Sequence, residues 1–243
     1  MEQSTRTWVL NFGTAYGISE RLAVQASIPF IHTTFENRDV EDTESSLGDL
    51  TILGRYAWTL FGGVLENQVF VAAGVNVPVG EGVQNPISSD RNFVSGTLDP
   101  IVAAWGAVPL STAMRVDAGV YARVIVAEDD DGSKTGNFTS YSVTGRYWLR
   151  RQRVDLSLRL TGLSRGQDEI DGQPFPNSGG DWVFLSPGVS WDVGQAGAHG
   201  LQLWGAVDIP VYQFVHGLQL TEDWIARLGL RYDLFGHTPR RPG

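Results

Sequence analysis

The sequence predicts an all-β fold, an antiparallel transmembrane β-barrel with about eleven visible strands. Three features of the sequence support this prediction. Successive segments alternate apolar and polar residues with a period of two, which is typical of strands with one apolar face. These segments are about ten to thirteen residues long, near the length that a tilted strand needs to cross a bilayer. The connections alternate between short and long, as in barrels with short turns on one side of the membrane and long loops on the other.

The alternating segments follow a regular order along the chain. Strands are predicted at 7–16, 22–33, 50–60, 69–79, 98–108, 116–126, 140–149, 154–161, 183–193, 201–212 and 224–235. Long loops are predicted at 34–47, 81–96, 127–136 and 164–181, with a shorter one at 213–223. The segment 98–108 is ambiguous because both of its faces are apolar, so Trp105 could point to either side.

The composition agrees with a membrane barrel and argues against several other classes. A length of 243 residues is enough for one large all-β domain or two small ones. The sequence contains no run of about 18 apolar residues, so no transmembrane helix is predicted. A net charge of −9 without a basic stripe argues against a nucleic-acid partner. The 29 Gly and eight Trp suit a barrel with a polar interior and a lipid-facing aromatic girdle.

The last predicted strand shows the alternation most clearly. Its apolar face consists of Ala226, Leu228, Leu230, Tyr232 and Leu234. The strand also looks like the C-terminal signal by which bacterial outer-membrane barrels are recognised for assembly, through Arg227, Gly229, Tyr232 and Leu234. This likeness implies the barrel assembly machinery as a partner, with outer-membrane lipid and lipopolysaccharide around the barrel. We expect the barrel to occupy 1–235 and a periplasmic tail to occupy 236–243.

The loop rhythm has a consequence for the number of strands. Long loops follow every second strand, and the last strand must return to the periplasm, so the first visible strand would begin outside the cell. Bacterial single-chain barrels have even strand numbers. We therefore expect one further strand and a signal peptide upstream of this sequence, which would make an intact barrel of twelve strands.

Short motifs along the chain resemble a known family. The segment 47–56, LGDLTILGRY, resembles the Gly-Asp-hydrophobic-Thr strand of the outer-membrane proteins named after the MetA pathway of phenol degradation. Segments 184–189, 209–213 and 217–220 are similar to later strands of that family, and the likeness covers nearly the whole chain. The chain departs from the family in lacking its usual upstream strand. The resemblance implies a transporter-like barrel in the outer membrane of a Gram-negative bacterium, with an aromatic or other hydrophobic compound as one candidate solute.

The polar faces of the strands would line the lumen if the apolar faces contact lipid. The charged residues predicted to line it are Asp49, Arg55, Arg115, Asp117, Arg123, Arg146, Asp155, Arg159, Asp208, Arg227, Arg231 and Asp233. Arg can bind carboxylates through two hydrogen bonds, so the near balance of charge predicts ion pairs across the lumen. Such a network either fills and rigidifies a narrow lumen or forms a polar constriction that selects small solutes.

Aromatic residues on the apolar faces predict a girdle at the membrane interfaces. They are Trp8, Tyr16, Trp58, Tyr147, Trp191 and Tyr232.

Enzymatic chemistry is not predicted. None of the four His has a Ser or Asp at a spacing that would place it beside the ring on one strand face. The acidic loop segments 36–44 and 128–131 are interpreted as solvated loops, because 129–132 lacks the alternate spacing of a calcium site. No cofactor or metal is expected. The predicted function is passive passage of a small solute; the alternative is a non-conducting structural or anchoring barrel whose external loops form an interaction surface.

Overall fold

The structure is a computed structural model that describes residues 3–37, 40–60, 67–80, 95–129, 132–193, 200–217, 219, 221 and 223–232. Its strands are β1 (Gln3–Gly17), β2 (Leu22–Asn37), β3 (Val40–Leu47), β4 (Leu50–Leu60), β5 (Asn67–Val77), β6 (Asp99–Pro109), β7 (Met114–Arg123), β8 (Ser133–Lys134), β9 (Phe138–Leu149), β10 (Val154–Arg165), β11 (Glu169–Ile170), β12 (Gln173–Pro174), β13 (Gly180–Asp192), β14 (Leu201–Val215) and β15 (Ile225–Tyr232). None of the described residues belongs to a helix that could span a membrane.

Eleven long strands form one antiparallel sheet in which each strand pairs with the next long strand along the chain. The order across the sheet is β1-β2-β4-β5-β6-β7-β9-β10-β13-β14-β15. Such a meander lets every backbone N–H and C=O in the sheet interior pair with a neighbouring strand, as a lipid environment requires. The predicted all-β, antiparallel barrel architecture is confirmed.

The predicted loop at 34–47 is wrong in detail, because most of this segment is strand. β2 continues to Asn37, and β3 pairs with its distal part from Phe30↔Leu47 to Asn37↔Val40. The hairpin pairs backbone groups that a polar loop would have to leave to solvent. Parts of two other predicted loops also form strands, since β8, β11 and β12 make a small separate sheet. The long connections therefore contain more regular structure than their polar composition indicated.

Exposure alternates along the strands and defines two faces of the sheet. On β10, Leu158 is 53% exposed, whereas its neighbours Ser157 and Arg159 are half-buried. On β15, Leu228 is 88% exposed. We call the face with the exposed apolar residues the outward face and the opposite face the inward face.

The ambiguous strand β6 turns Trp105 to the inward face. Ile101, Ala103 and Ala107 on the same side are buried, whereas Val102 and Val108 on the other side are exposed. The inward face of β6 is therefore apolar as well, which explains why periodicity alone could not orient this strand.

A β-bulge in β14 changes the face of the sheet on which Tyr212 lies. The register with β13 shifts between Val183↔Tyr212 and Phe184↔Pro210, so Val211 has no partner on β13. Strict alternation from Asp208 would place Tyr212 on the inward face, but the structure places it on the outward face with Val183, where it is exposed. Pro210 has no N–H to donate to a ladder, which makes this a favourable place for an irregularity.

The sheet has two outer edges. Among the described residues, β1 pairs only with β2 and β15 pairs only with β14. The connections at 18–21, 110–113 and 150–153 mark one end of the sheet, which we call the short-turn end. The β2–β3 hairpin and the connections at 124–137 and 166–179 mark the opposite, long-loop end.

Candidate functional site

Charged side chains form a band on the inward face, nearer the short-turn end on β7 and β9. Arg115 Nε lies 2.8 Å from Asp117 Oδ1, and Arg146 Nε lies 2.9 Å from Asp117 Oδ2. Arg146 also approaches Asp155, with 3.7 Å between Nη1 and Oδ2. One carboxylate is thus shared by Arg side chains from two neighbouring strands, and the second Arg reaches a further carboxylate on β10. We call these four residues, together with Arg159, Asp208 and Arg227, the charged band.

The register of the strands extends the charged band across the sheet. Asp117 lies opposite Thr144, Thr144 opposite Arg159, and Arg159 opposite Ser186. Arg159 donates from Nε to Thr144 Oγ1 over 3.3 Å. Beyond β13, Arg227 Nη2 lies 2.5 Å from Asp208 Oδ1, and Asp208 is buried.

Three further predicted lumen residues have neighbours outside the charged band. The Arg55 guanidinium lies over the Phe70 ring, 5.5 Å from its centroid. Arg123 is close enough to Asp49 to act on it electrostatically, and Arg231 lies opposite Gln202. Asp233 lies outside the described residues. The structure therefore brings together Arg115, Asp117, Arg146, Asp155, Arg159, Asp208 and Arg227.

A second polar cluster lies near the long-loop end, around Asp49 in the short connection between β3 and β4. Asp49 Oδ2 accepts hydrogen bonds from Asn76 Nδ2 at 2.8 Å and from Ser95 N and Oγ at 2.8 and 2.9 Å. Asp49 is fully buried. Burial raises the pKa of its carboxyl, whereas the two hydrogen bonds from Ser95 act in the opposite direction. The cluster ties the residues before β6 to the beginning of β4.

Inward aromatic residues are a feature that the sequence reading missed. Phe70 lies opposite Trp105, and Trp105 lies opposite Gly119, where the absence of a side chain leaves room for the indole. On β13, the inward-facing Trp182 and Phe184 are almost fully buried. The available signal was the run of apolar residues on both faces of these strands, which indicates a strand that is buried on both sides.

The predicted girdle residues are all exposed on the outward face. Tyr16, Trp58, Tyr147, Trp191 and Tyr232 lie at the short-turn end of their strands. Trp8 pairs with His32 and lies toward the other end. Outward aromatics gathered at one end of a sheet are typical of a membrane interface, so this arrangement is consistent with a girdle.

The chemistry available at the charged band is electrostatic. Among the described residues, no group of three or more acidic or His side chains is arranged to bind a metal ion. The Arg side chains present N–H donors to the inward side, and the Asp side chains fix their positions. Such an arrangement can orient or repel charged solutes without forming covalent bonds.

Comparison with known proteins gives similar solved structures and one family. The fold is similar to a solved outer membrane channel from Pseudomonas putida F1, with a TM-score of 0.69 and 18% sequence identity over 95% of this chain and 83% of that chain. No curated protein matches the chain. Residues 2–221 match the family model described as putative MetA-pathway of phenol degradation. This match spans most of the chain and confirms the resemblance seen in its motifs: the protein belongs to the family described as putative MetA-pathway of phenol degradation.

Proposed function

We propose that this protein is a passive channel in the outer membrane of a Gram-negative bacterium, and that a small solute passes along its inward face. The observation that supports the proposal is the charged band, which lies on the inward face of a barrel-type sheet whose outward face is apolar. A folded outer membrane channel of similar architecture agrees with it. Passage would require no covalent step. It would require a lumen whose polar groups replace the contacts that the solute makes with water.

The composition of the charged band favours anions over cations. It contains the four side chains Arg115, Arg146, Arg159 and Arg227 and the three side chains Asp117, Asp155 and Asp208. Each Asp lies beside at least one Arg, so its charge is compensated locally. The excess positive charge would raise the local concentration of anions in a confined lumen.

The surroundings of the channel follow from its surfaces. We propose that the outward face contacts lipid and lipopolysaccharide, because it presents Leu158, Leu228 and the aromatic girdle. The barrel assembly machinery would recognise the last strand, where Leu228 and Leu230 are exposed beside the inward-facing Arg227.

Recording of single-channel currents in planar bilayers tests the proposal. The folded, full-length protein should conduct in KCl, and its reversal potential in a salt gradient should show a preference for chloride. Arg146→Gln should weaken this preference, because it removes a positive charge from the charged band. The matched control is Arg151→Gln, which changes an exposed Arg in the turn between β9 and β10 and should leave the preference unchanged.

A lack of conductance would contradict the channel. If the folded protein inserts into the bilayer but carries no current, the alternative of a structural or anchoring barrel is favoured. Folding is verified separately by the change in gel mobility that folded barrels show on heating, and insertion by flotation of the protein with lipid vesicles.

A further inference from the structure

A cavity of about 220 Å³ lies on the inward face beside the charged band. It is lined by Phe138, Arg159, Thr161, Leu163, Phe184, Asp208 and Arg227. These residues come from β9, β10, β13, β14 and β15, so five strands must be in register to form it. The cavity is smaller than the usual pocket for a drug-sized ligand, which begins near about 300 Å³.

One side of the cavity is apolar and aromatic. Thr161 and Phe184 lie opposite one another in the β10–β13 ladder, and Leu163 follows two residues along the same face as Thr161. Phe184 is almost fully buried, and the Phe138 ring packs edge-on against Tyr121 at 6.1 Å between centroids. The burial of Phe184 and the contact of Phe138 with Tyr121 limit the freedom of these two rings, so this wall is formed before any ligand arrives.

The other side of the cavity carries an Arg without a bound carboxylate. Asp208 is occupied by Arg227 at 2.5 Å. Among the described residues, the Arg159 side chain makes one hydrogen bond, to Thr144, and no ion pair. The positive charges of Arg146 and Arg227 act on Arg159, and so do the negative charges of Asp208 and Asp117. Its remaining N–H donors therefore form an anion-binding position next to an aromatic wall.

We infer that this cavity binds a small aromatic carboxylate with a single ring, and that Arg159 binds its carboxylate group. The inference rests on the proposed channel function and names the class of solute that the channel would take. The ring would lie against Phe138, Leu163 and Phe184, where aromatic pairs prefer offset or edge-on contacts. A planar carboxylate matches the planar N–H donors of a guanidinium, which an alcohol or an ammonium group does not. An amine would meet Arg159 and Arg227 with like charge.

Isothermal titration calorimetry of the full chain in detergent micelles tests the inference with three probes. Benzoate should bind, benzyl alcohol should bind at least tenfold more weakly, and acetate should bind at least tenfold more weakly. Benzyl alcohol retains the ring without the charge, and acetate retains the charge without the ring. Equal dissociation constants for benzoate and benzyl alcohol would overturn the role of the anion. Equal dissociation constants for benzoate and acetate would overturn the role of the aromatic wall.

Two substitutions locate the binding site. Arg159→Gln should weaken benzoate binding at least tenfold, whereas Arg151→Gln in the exposed turn should leave it unchanged. Phe184→Leu retains an apolar side chain but removes the ring, and it should weaken benzoate more than acetate. If Arg159→Gln folds, as judged by circular dichroism and gel mobility, and binds benzoate like the parent protein, the inference is wrong.

Failure of the inference and failure of the channel give different results. A protein that conducts chloride but neither binds benzoate nor has its current reduced by it would overturn the inference and leave the channel intact. A protein without conductance would overturn the channel and with it the solute class, even if calorimetry detected benzoate in the cavity.

Discussion

At the residue scale, Asp49 shows how one carboxylate can organise a chain segment. Three donors, from Asn76 and Ser95, converge on the same oxygen, Oδ2. Thr97 continues the cluster by donating from Oγ1 to Asp99 Oδ1 at 2.6 Å. All of these residues are buried, so a lost acceptor cannot be replaced easily by water. The cluster therefore fixes where the chain enters β6.

Substitution of Asp49 should separate the need for an acceptor from the need for a charge. Asp49→Ala leaves three buried donors without an acceptor and should lower the free energy of unfolding by about 3 kcal/mol. Asp49→Asn can keep one oxygen at the Oδ2 position and should cost less than about 1 kcal/mol. Urea titration of the refolded protein in micelles measures both, with Glu20→Ala in an exposed turn as control. Equal losses for Ala and Asn would show that the charge, and not the acceptor, is required.

At the element scale, the packing of β6 against β7 depends on a residue without a side chain. Gly119 lies opposite Trp105, and a Cβ added there would overlap the indole ring and come within 3.1 Å of the Ala104 carbonyl oxygen. Trp105 in turn lies opposite Phe70, so the indole has a neighbour on each adjacent strand. Two large inward rings fit side by side because the third position in the row is Gly.

A methyl group at position 119 should disturb this packing. Gly119→Ala should lower the free energy of unfolding by about 1–3 kcal/mol, because Trp105 or the β7 backbone must move. Gly145→Ala is the matched control: it lies on β9 with nothing within 4 Å of an added Cβ and should change stability by less than about 0.5 kcal/mol. Urea titration compares the two variants. If Gly119→Ala leaves the free energy of unfolding unchanged, Trp105 can rotate away from the added methyl group without an energetic cost.

At the scale of the whole molecule, the inward face is divided into zones along the strands. Arg115 and Arg146 are the members of the charged band that lie nearest the short-turn end. The Asp49 cluster lies near the long-loop end. Inward rings, among them Trp105 and Phe184, lie between them. A solute moving between the two ends would therefore meet apolar surface and positive charge in succession, which is the combination that an amphipathic anion can use.

The closure of the barrel gives a prediction about the sheet edges. Among the described residues β1 and β15 are not paired with each other, so we expect cysteines placed on these two strands to lie beyond the reach of a disulfide. The chain has no Cys, so cysteine pairs can be introduced cleanly. Leu228→Cys combined in turn with cysteine at Trp8, Leu10 or Phe12 should not form a disulfide in membranes. Leu203→Cys with Leu230→Cys should, because these two residues are direct partners. A disulfide between β1 and β15 would instead demonstrate an eleven-stranded barrel.

The sequence by itself determined the strands, their faces and the class of fold. A period of two follows from the geometry of one extended strand, so Leu158 and Leu228 could be placed on the outward face without knowledge of any neighbour. The same rule placed Asp117, Arg146 and Arg159 on the inward face. It failed at Tyr212, because a bulge depends on the register with a second strand. It was silent at Trp105, because neither face of that strand is polar.

Only the tertiary structure decided which inward residues meet. Seven of the predicted charged residues gather into the charged band because lateral register aligns positions that are far apart in the chain, as with Asp117, Thr144 and Arg159. The same register leaves Arg55 over Phe70, outside that band. The cavity beside Arg159 likewise requires five strands in register. The alternation of side chains along one strand is a local property of the chain. The alignment between strands is set by the packing of the whole sheet, and the candidate site depends on that alignment.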